Sequence, residues 1–102
     1  MPFAWLDMDN LESNAKAIAA RAGNKTVRIA SKSIRSIPVM RHLLQMDDVF
    51  QGLLCYSGDE AVWLSKNGFD DLLIAYPVWH PAQVAAICEE VKQGKSIICM
   101  ID

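Results

Sequence analysis

This 102-residue chain has no run of basic residues, and no aromatics are interleaved with the basic residues it does contain. With a formal net charge of −2 it gives no reason to expect nucleic acid or an anionic membrane as partner. No apolar run comes near the length of a membrane span. The start, Met1-Pro2-Phe3-Ala4-Trp5-Leu6-Asp7, lacks a basic segment, and acids arrive before any long apolar stretch. No secretory signal is read there, and a cytoplasmic location is expected. Cysteine is sparse. Cys55, Cys88 and Cys99 are odd in number, widely spaced and set among apolar residues, which predicts reduced core thiols and no disulfide framework. His42 and His80 have no Cys or His at ligand spacing, so a metal site built from this chain alone is not expected.

What the chain does have is apolar content. At 52% hydrophobic it can supply one small domain with a real core. Phe3 to Met8 reads as a strand, followed by Asp9 and Glu12 in a capping-box pattern. Leu11, Ala15, Ile18 and Ala22 then form an apolar stripe at helical spacing, closed by Gly23. Val27 and Ile29 favour a second strand. Ser36 and Pro38 open a helix lined by Ile37, Met40 and Leu44. Val49 to Tyr56 is the next strand, and Gly52 inside it marks a bulge or a close backbone approach.

Ser57-Gly58-Asp59-Glu60 is a second capping box, starting a helix through Lys66, with Glu60 read as a cap. Asp71 to Ala75 is an apolar strand, and Tyr76 to Trp79 a loop. His80-Pro81 opens a helix with Val84, Ile87, Cys88 and Val91 as its inner stripe, and Ser96 to Ile101 is the last strand. Strand and helix alternate every roughly 20–26 residues, the rhythm of βα units on a parallel sheet. The expected fold class is α/β. A full eight-unit barrel needs about 250 residues, so residues 1–102 are expected to be the N-terminal half of a (β/α)8 TIM-type barrel.

One stretch carries chemistry: Val27-Arg28-Ile29-Ala30-Ser31-Lys32-Ser33. Side chains alternate along a strand, so Arg28, Ala30 and Lys32 share a face, and Lys32 falls where strand gives way to loop. In α/β folds that edge carries ligands. A lysine there, partly desolvated, can lose its proton and attack a carbonyl to give a Schiff base; the plainer reading is a solvated surface lysine. Arg28, if on a barrel's inner face, needs a partner, either a carboxylate or a cofactor; the plainer reading is an exposed strand arginine. Tyr56 and Tyr76 fall at the same edge as Lys32 and are candidates to line a pocket or carry a proton.

Four segments together resemble a known family. They are Trp5-Leu6-Asp7-Met8-Asp9-Asn10-Leu11-Glu12-Ser13-Asn14, Val27 through Ser36, Gly52 through Ala61, and Gly68 through Val78. In this order they resemble the N-terminal barrel portion of fold-type III pyridoxal-phosphate enzymes, the alanine racemase N-terminal domain. Within that group they are most similar to the D-threonine aldolase and D-serine dehydratase branch. The resemblance implies that Lys32 holds pyridoxal 5'-phosphate as a Schiff base. It matches Arg28 to an arginine that the family places on the same strand and implies a small amino acid, of D configuration, as substrate; Tyr56 and Tyr76, from their place at the strand ends, are the further candidates for cofactor contact. It also implies a homodimer at full length, and a divalent metal, where one is used, held by residues beyond this chain. Ala30 and Ile34 stand where aldolase-type members often have histidines, and Ser36 where alanine racemases tend to have a tyrosine. The competing functional expectation is a barrel that carries pyridoxal phosphate without turnover. A third is a βα fragment without cofactor, in which Lys32 is incidental.

Half a barrel has two free edges. Each large aliphatic side chain left exposed forfeits about 1.5–3 kcal/mol, against a net stability of about 5–15 kcal/mol for a small domain. Residues 1–102 alone are therefore expected to aggregate or to pair through those edges. Light scattering and chemical unfolding check this; a monodisperse monomer with a sharp cooperative transition would instead mark a self-contained domain.

Overall fold

A computed structural model describes residues 1–101; the expected domain range runs to Asp102, which lies outside the described residues. Helices and strands alternate: α1 (Met8–Ala22), β1 (Val27–Ala30), α2 (Ile37–Met46), β2 (Phe50–Cys55), α3 (Gly58–Lys66), β3 (Leu72–Ile74), α4 (Pro81–Lys92) and β4 (Ile97–Ile98). The strands form one sheet in the order β1-β2-β3-β4, with every neighbouring pair parallel. The fold is thus α/β, a four-stranded parallel sheet alternating with helices.

Each helix begins at a side chain that accepts a backbone N–H left over in the first turn. Ser36 Oγ accepts from Val39, Ser57 Oγ from Glu60, and His80 Nδ1 from Ala82. Pro38 and Pro81 sit in first turns, where a missing N–H costs nothing. For α1 the cap is Asp7, whose Oδ1 accepts from Asn10 at 3.0 Å. Asp9, the expected cap, lies instead in the first turn, where its charge suits the helix dipole.

Strand side chains alternate between two environments. Ile29, Leu53, Cys55, Leu72 and Ile74 join Ala15, Met40, Leu43, Ala61, Leu64 and Ile87 from the helices in one buried cluster. Ala30, Leu54 and Leu73 lie on the opposite face and are only half-buried. All four helices therefore contribute to one face of the sheet, and the other face is left more open.

The register holds one irregularity. Val27 pairs with Phe50 and Ile29 with Leu53, so β2 spends one extra residue against β1. The bulge lets both Phe50 and Leu53 point into the core, although three positions separate them. It falls at Gly52, whose φ is +72°. The Arg28 guanidinium passes over this glycine. Nη1 donates to the Asp71 carbonyl and Nη2 to the Asp71 carboxylate, both at 2.7 Å. The same carbonyl accepts the Leu53 N–H at 3.0 Å. Of the two partners expected for Arg28, the structure supplies the carboxylate. Gly52 is both the bulge and the close approach that its place in a strand suggested.

Several local expectations are corrected. Phe3 to Met8 forms no strand: residues 1–7 carry no regular structure, and Phe3 and Trp5 are 84% and 78% exposed. A strand is stabilised by a neighbour's hydrogen bonds and packing, and this segment has neither. On α4 the inner face is Ile87 with Glu90, while Val84, Cys88 and Val91 are exposed. Glu90 is buried because its carboxylate accepts the Ser65 hydroxyl of α3 at 2.6 Å. The last strand covers Ile97–Ile98, within the expected Ser96 to Ile101.

Gly52→Ala tests the crossing. Its Cβ would collide with the Asp71 carbonyl oxygen and come within 2.5 Å of Arg28 Nη1. Backbone strain and the lost bonds together are expected to cost roughly 3 kcal/mol in urea unfolding. Gly23 also has positive φ, +62°, but nothing lies within 4 Å of a Cβ there. Gly23→Ala is expected to cost only about 1 kcal/mol. Equal costs would show that the Gly52 crossing is not a constraint.

Candidate functional site

Parallel strands put all their C-terminal ends at one edge of the sheet. There Ala30 pairs with Leu54, Leu54 with Leu73, and Cys55 with Ile74. The chain leaving β1 turns at once: the Ala30 carbonyl accepts from both Ser33 and Ile34 at 3.1 Å. Lys32 rides on this turn and is exposed rather than partly desolvated as expected, because no described element covers the turn; among the described residues its ammonium forms no ion pair. Two residues on from Ala30 and Leu54 the register brings Lys32 beside Tyr56. Lys32 Nζ lies 5.8 Å from the centre of the Tyr56 ring, within cation–π range. Tyr76 meets the edge of Tyr56 with ring centres 5.4 Å apart and planes at 74°.

These groups surround a cleft of about 170 Å³ over Ala30, Leu54 and Ala75. A second cleft of about 310 Å³ adjoins it, sharing Lys32 and Tyr56 and adding Arg35 and Glu60. The structure therefore gathers Lys32, Tyr56 and Tyr76 in one place. Arg28 does not join them: it lies four residues back along the strand and its guanidinium is engaged by Asp71. His80 caps α4, and Trp79 is 75% exposed in the loop before it. Among the described residues no cluster of three His, Cys, Asp or Glu side chains is placed to hold a metal ion. No helix of the described residues is long and apolar enough to cross a membrane.

Two residues matter that the sequence reading did not bring together. Glu60 belongs to the expected capping box, and the Ser57 hydroxyl accepts its N–H at 3.2 Å. Its carboxylate, however, accepts the Tyr56 N–H at 3.2 Å and the hydroxyl of Ser31. Ser31 is buried on the helix side of the sheet, next to Lys32 in sequence. The capping-box spacing signalled that Glu60 reaches back, but nothing local signalled a partner 29 positions away.

Cys55 is fully buried beside these groups. Burial, helped by the Glu60 carboxylate, pushes its thiol from 9.0 up to about 12. The expectation of three buried thiols is corrected at the other two positions, since Cys88 and Cys99 are exposed. They belong to the outer side of α4 and the stretch after β4, where no described element covers them. Partial burial, and next the nearby Cys88, raise the Cys99 thiol as well.

No family model matches the chain, and no curated protein matches it.

With a thiol reagent at mildly alkaline pH, Cys88 is expected to react first, Cys99 next, and Cys55 only after unfolding. Cys55 also couples stability to pH. Its folded-state value lies above the unfolded one, so its contribution is complete below pH 9.0 and is lost as pH rises toward about 12. The stability difference between wild type and Cys55→Ala should shrink across that window. A difference independent of pH, or native labelling of Cys55, would overturn the assignment.

Proposed function

We propose that the chain is the N-terminal part of a (β/α)8 barrel that binds pyridoxal 5'-phosphate at Lys32 and acts on a small amino acid of D configuration. The observation that carries this reading is the amine of Lys32 at the C-terminal edge of a parallel sheet, facing a cleft walled by Tyr56 and Tyr76. The sequential strand order, with all helices packed to one side, agrees with a barrel segment. The resemblance of four sequence segments to fold-type III enzymes points the same way. A full-length homodimer and a metal held outside this chain belong to the same proposal.

The residues present suit such a cofactor. Lys32 is accessible and forms no ion pair among the described residues, so its amine is available to an aldehyde. Ala30 and Ala75 are small and leave room over the sheet edge. The two tyrosine rings offer a flat apolar wall, and their hydroxyls can donate or accept a proton. Arg35 borders the adjoining cleft with a permanent positive charge suited to an anionic group. When bound, pyridoxal phosphate supplies an electron sink for a bond breaking at the substrate α-carbon. Lys32 would hold the cofactor, and its amine would be the base at this edge able to take or return the α-proton, as racemisation and dehydration require. Loss of a β-hydroxy side chain would instead give retro-aldol cleavage, with the hydroxyl proton passing to the Lys32 amine and a tyrosine hydroxyl at this edge able to hydrogen-bond the departing oxygen. Arg28 serves this site indirectly, by fixing the register of the strand that ends at Lys32.

The test is direct. Full-length protein containing this chain is mixed with pyridoxal 5'-phosphate and treated with borohydride, and the modified peptide is mapped. The expected result is a pyridoxyl label on Lys32, with the visible absorbance band lost in Lys32→Ala. An unchanged band in Lys32→Ala would overturn the proposal.

A further inference from the structure

We infer that Glu60 is a positioning residue for Lys32, acting through the paired contacts of its carboxylate with Ser31 and Tyr56. The inference rests on the Lys32 reading above and adds the group that holds the amine in place.

Among the described residues Lys32 forms no ion pair; its backbone is held by the turn between Ala30 and Ile34, and its ammonium faces the Tyr56 ring. Ser31, inside that turn, gives its hydroxyl to Glu60 Oε1. The same oxygen accepts the backbone N–H of Tyr56 at 3.2 Å, and the Tyr56 ring is the one that faces Lys32 Nζ. One carboxylate oxygen thus joins the loop after β1 to the loop after β2 and sets the spacing of amine and ring. Ser31 has a single hydroxyl proton, and the Leu54 carbonyl is a rival acceptor at 3.2 Å. That carbonyl already receives the Ser31 N–H at 3.0 Å. A carboxylate is the stronger acceptor, so the hydroxyl proton goes to Glu60. Glu60 is itself held: it lies in the first turn of α3, its N–H is capped by Ser57, and the positive end of the helix dipole favours its charge. The anchor is a helix end, which is more rigid than the turn it steadies.

The distinguishing property is that position matters here and charge does not. Glutamine at this site keeps an oxygen that can accept both protons; aspartate keeps the charge but is one methylene short; alanine keeps neither. Full-length protein is treated with limiting pyridoxal 5'-phosphate, so that a lysine amine condenses with the aldehyde and expels water, and borohydride then fixes the product by hydride addition. Peptide mapping gives the ratio of label on Lys32 to label on the exposed Lys66. In Glu60→Ala, Glu60→Asp and Ser31→Ala this ratio is expected to fall by about fivefold or more, and in Glu60→Gln to stay within about twofold of wild type. Acetic anhydride, which needs no placement of a cofactor, should give an unchanged Lys32 to Lys66 ratio in all four. Thermal unfolding confirms that each variant is folded at the labelling temperature. Ser31→Ala removes one oxygen and serves as the second variant should Glu60→Ala fail to fold.

Label selective for Lys32 in wild type and equally selective in Glu60→Ala and Ser31→Ala overturns this inference alone. Loss of selectivity in Glu60→Gln equal to that in Glu60→Ala also overturns it, in favour of a role for charge. Label spread evenly over the lysines in wild type overturns the Lys32 reading itself.

Discussion

The constraint on which the rest of the structure depends is the missing side chain at Gly52. Only there can the Arg28 guanidinium cross β2 to reach Asp71. The crossing ties three strands together near their starts, and the bulge beneath it sets the phase of β2. A slip of one residue would turn Leu53 and Cys55 out of the core and carry Tyr56 away from Lys32. The ion pair is partly exposed, so its charge attraction is screened and its main effect is geometric. The placement of Lys32 and Tyr56 at the far edge of the sheet thus depends on a contact near the other end of the strands.

The two ends of the sheet are held by different chemistry. At the starts of the strands the links are charged or carbonyl-based: Arg28 to Asp71, and Asp70 accepting the N–H groups of Asp71 and Ser96. The two backbone bonds, Ser96 foremost, hold the Asp70 carboxyl below its usual value. At the strand ends the link is the Glu60 carboxylate with Ser31 and Tyr56. Between them the core is apolar, with Leu53, Leu72 and Ile74 fully buried. Such a division leaves a firm middle and lets the loops at the C-terminal edge carry reactive groups without weakening the sheet.

Much apolar surface remains uncovered. Val84, Cys88 and Val91 on α4, Ile98 in β4 and Met100 after it are exposed, and Phe3, Trp5 and Leu6 lie exposed before α1. Under the barrel proposal these are the surfaces that further strands and helices would meet. The half-buried face carrying Ala30, Leu54 and Leu73 would then be the inside of the barrel.

The sequence by itself determined the local pieces. Ser36, Ser57, His80-Pro81 and the glycines after the helices marked where helices begin and end, because caps and turns act within a few residues. The alternation of Arg28, Ala30 and Lys32 against Ile29 and Ser31 followed from the pleat of a single strand. The placing of Lys32, Tyr56 and Tyr76 at one edge followed from parallel connectivity. Tertiary structure alone decided the rest. Phe3 to Met8 had the composition of a strand but no neighbour to make it one. Val84 and Val91 had the right chemistry for a core, yet Glu90 was buried in their stead because Ser65 on another helix satisfied it. Arg28 called for a partner only if it lay inside the fold, and the partner it has, Asp71, comes from 43 positions away. Glu60 looked like an ordinary cap until Ser31 arrived from the neighbouring strand. Local signals fix what a segment can be; hydrogen bonds and packing between distant segments decide which of those it becomes.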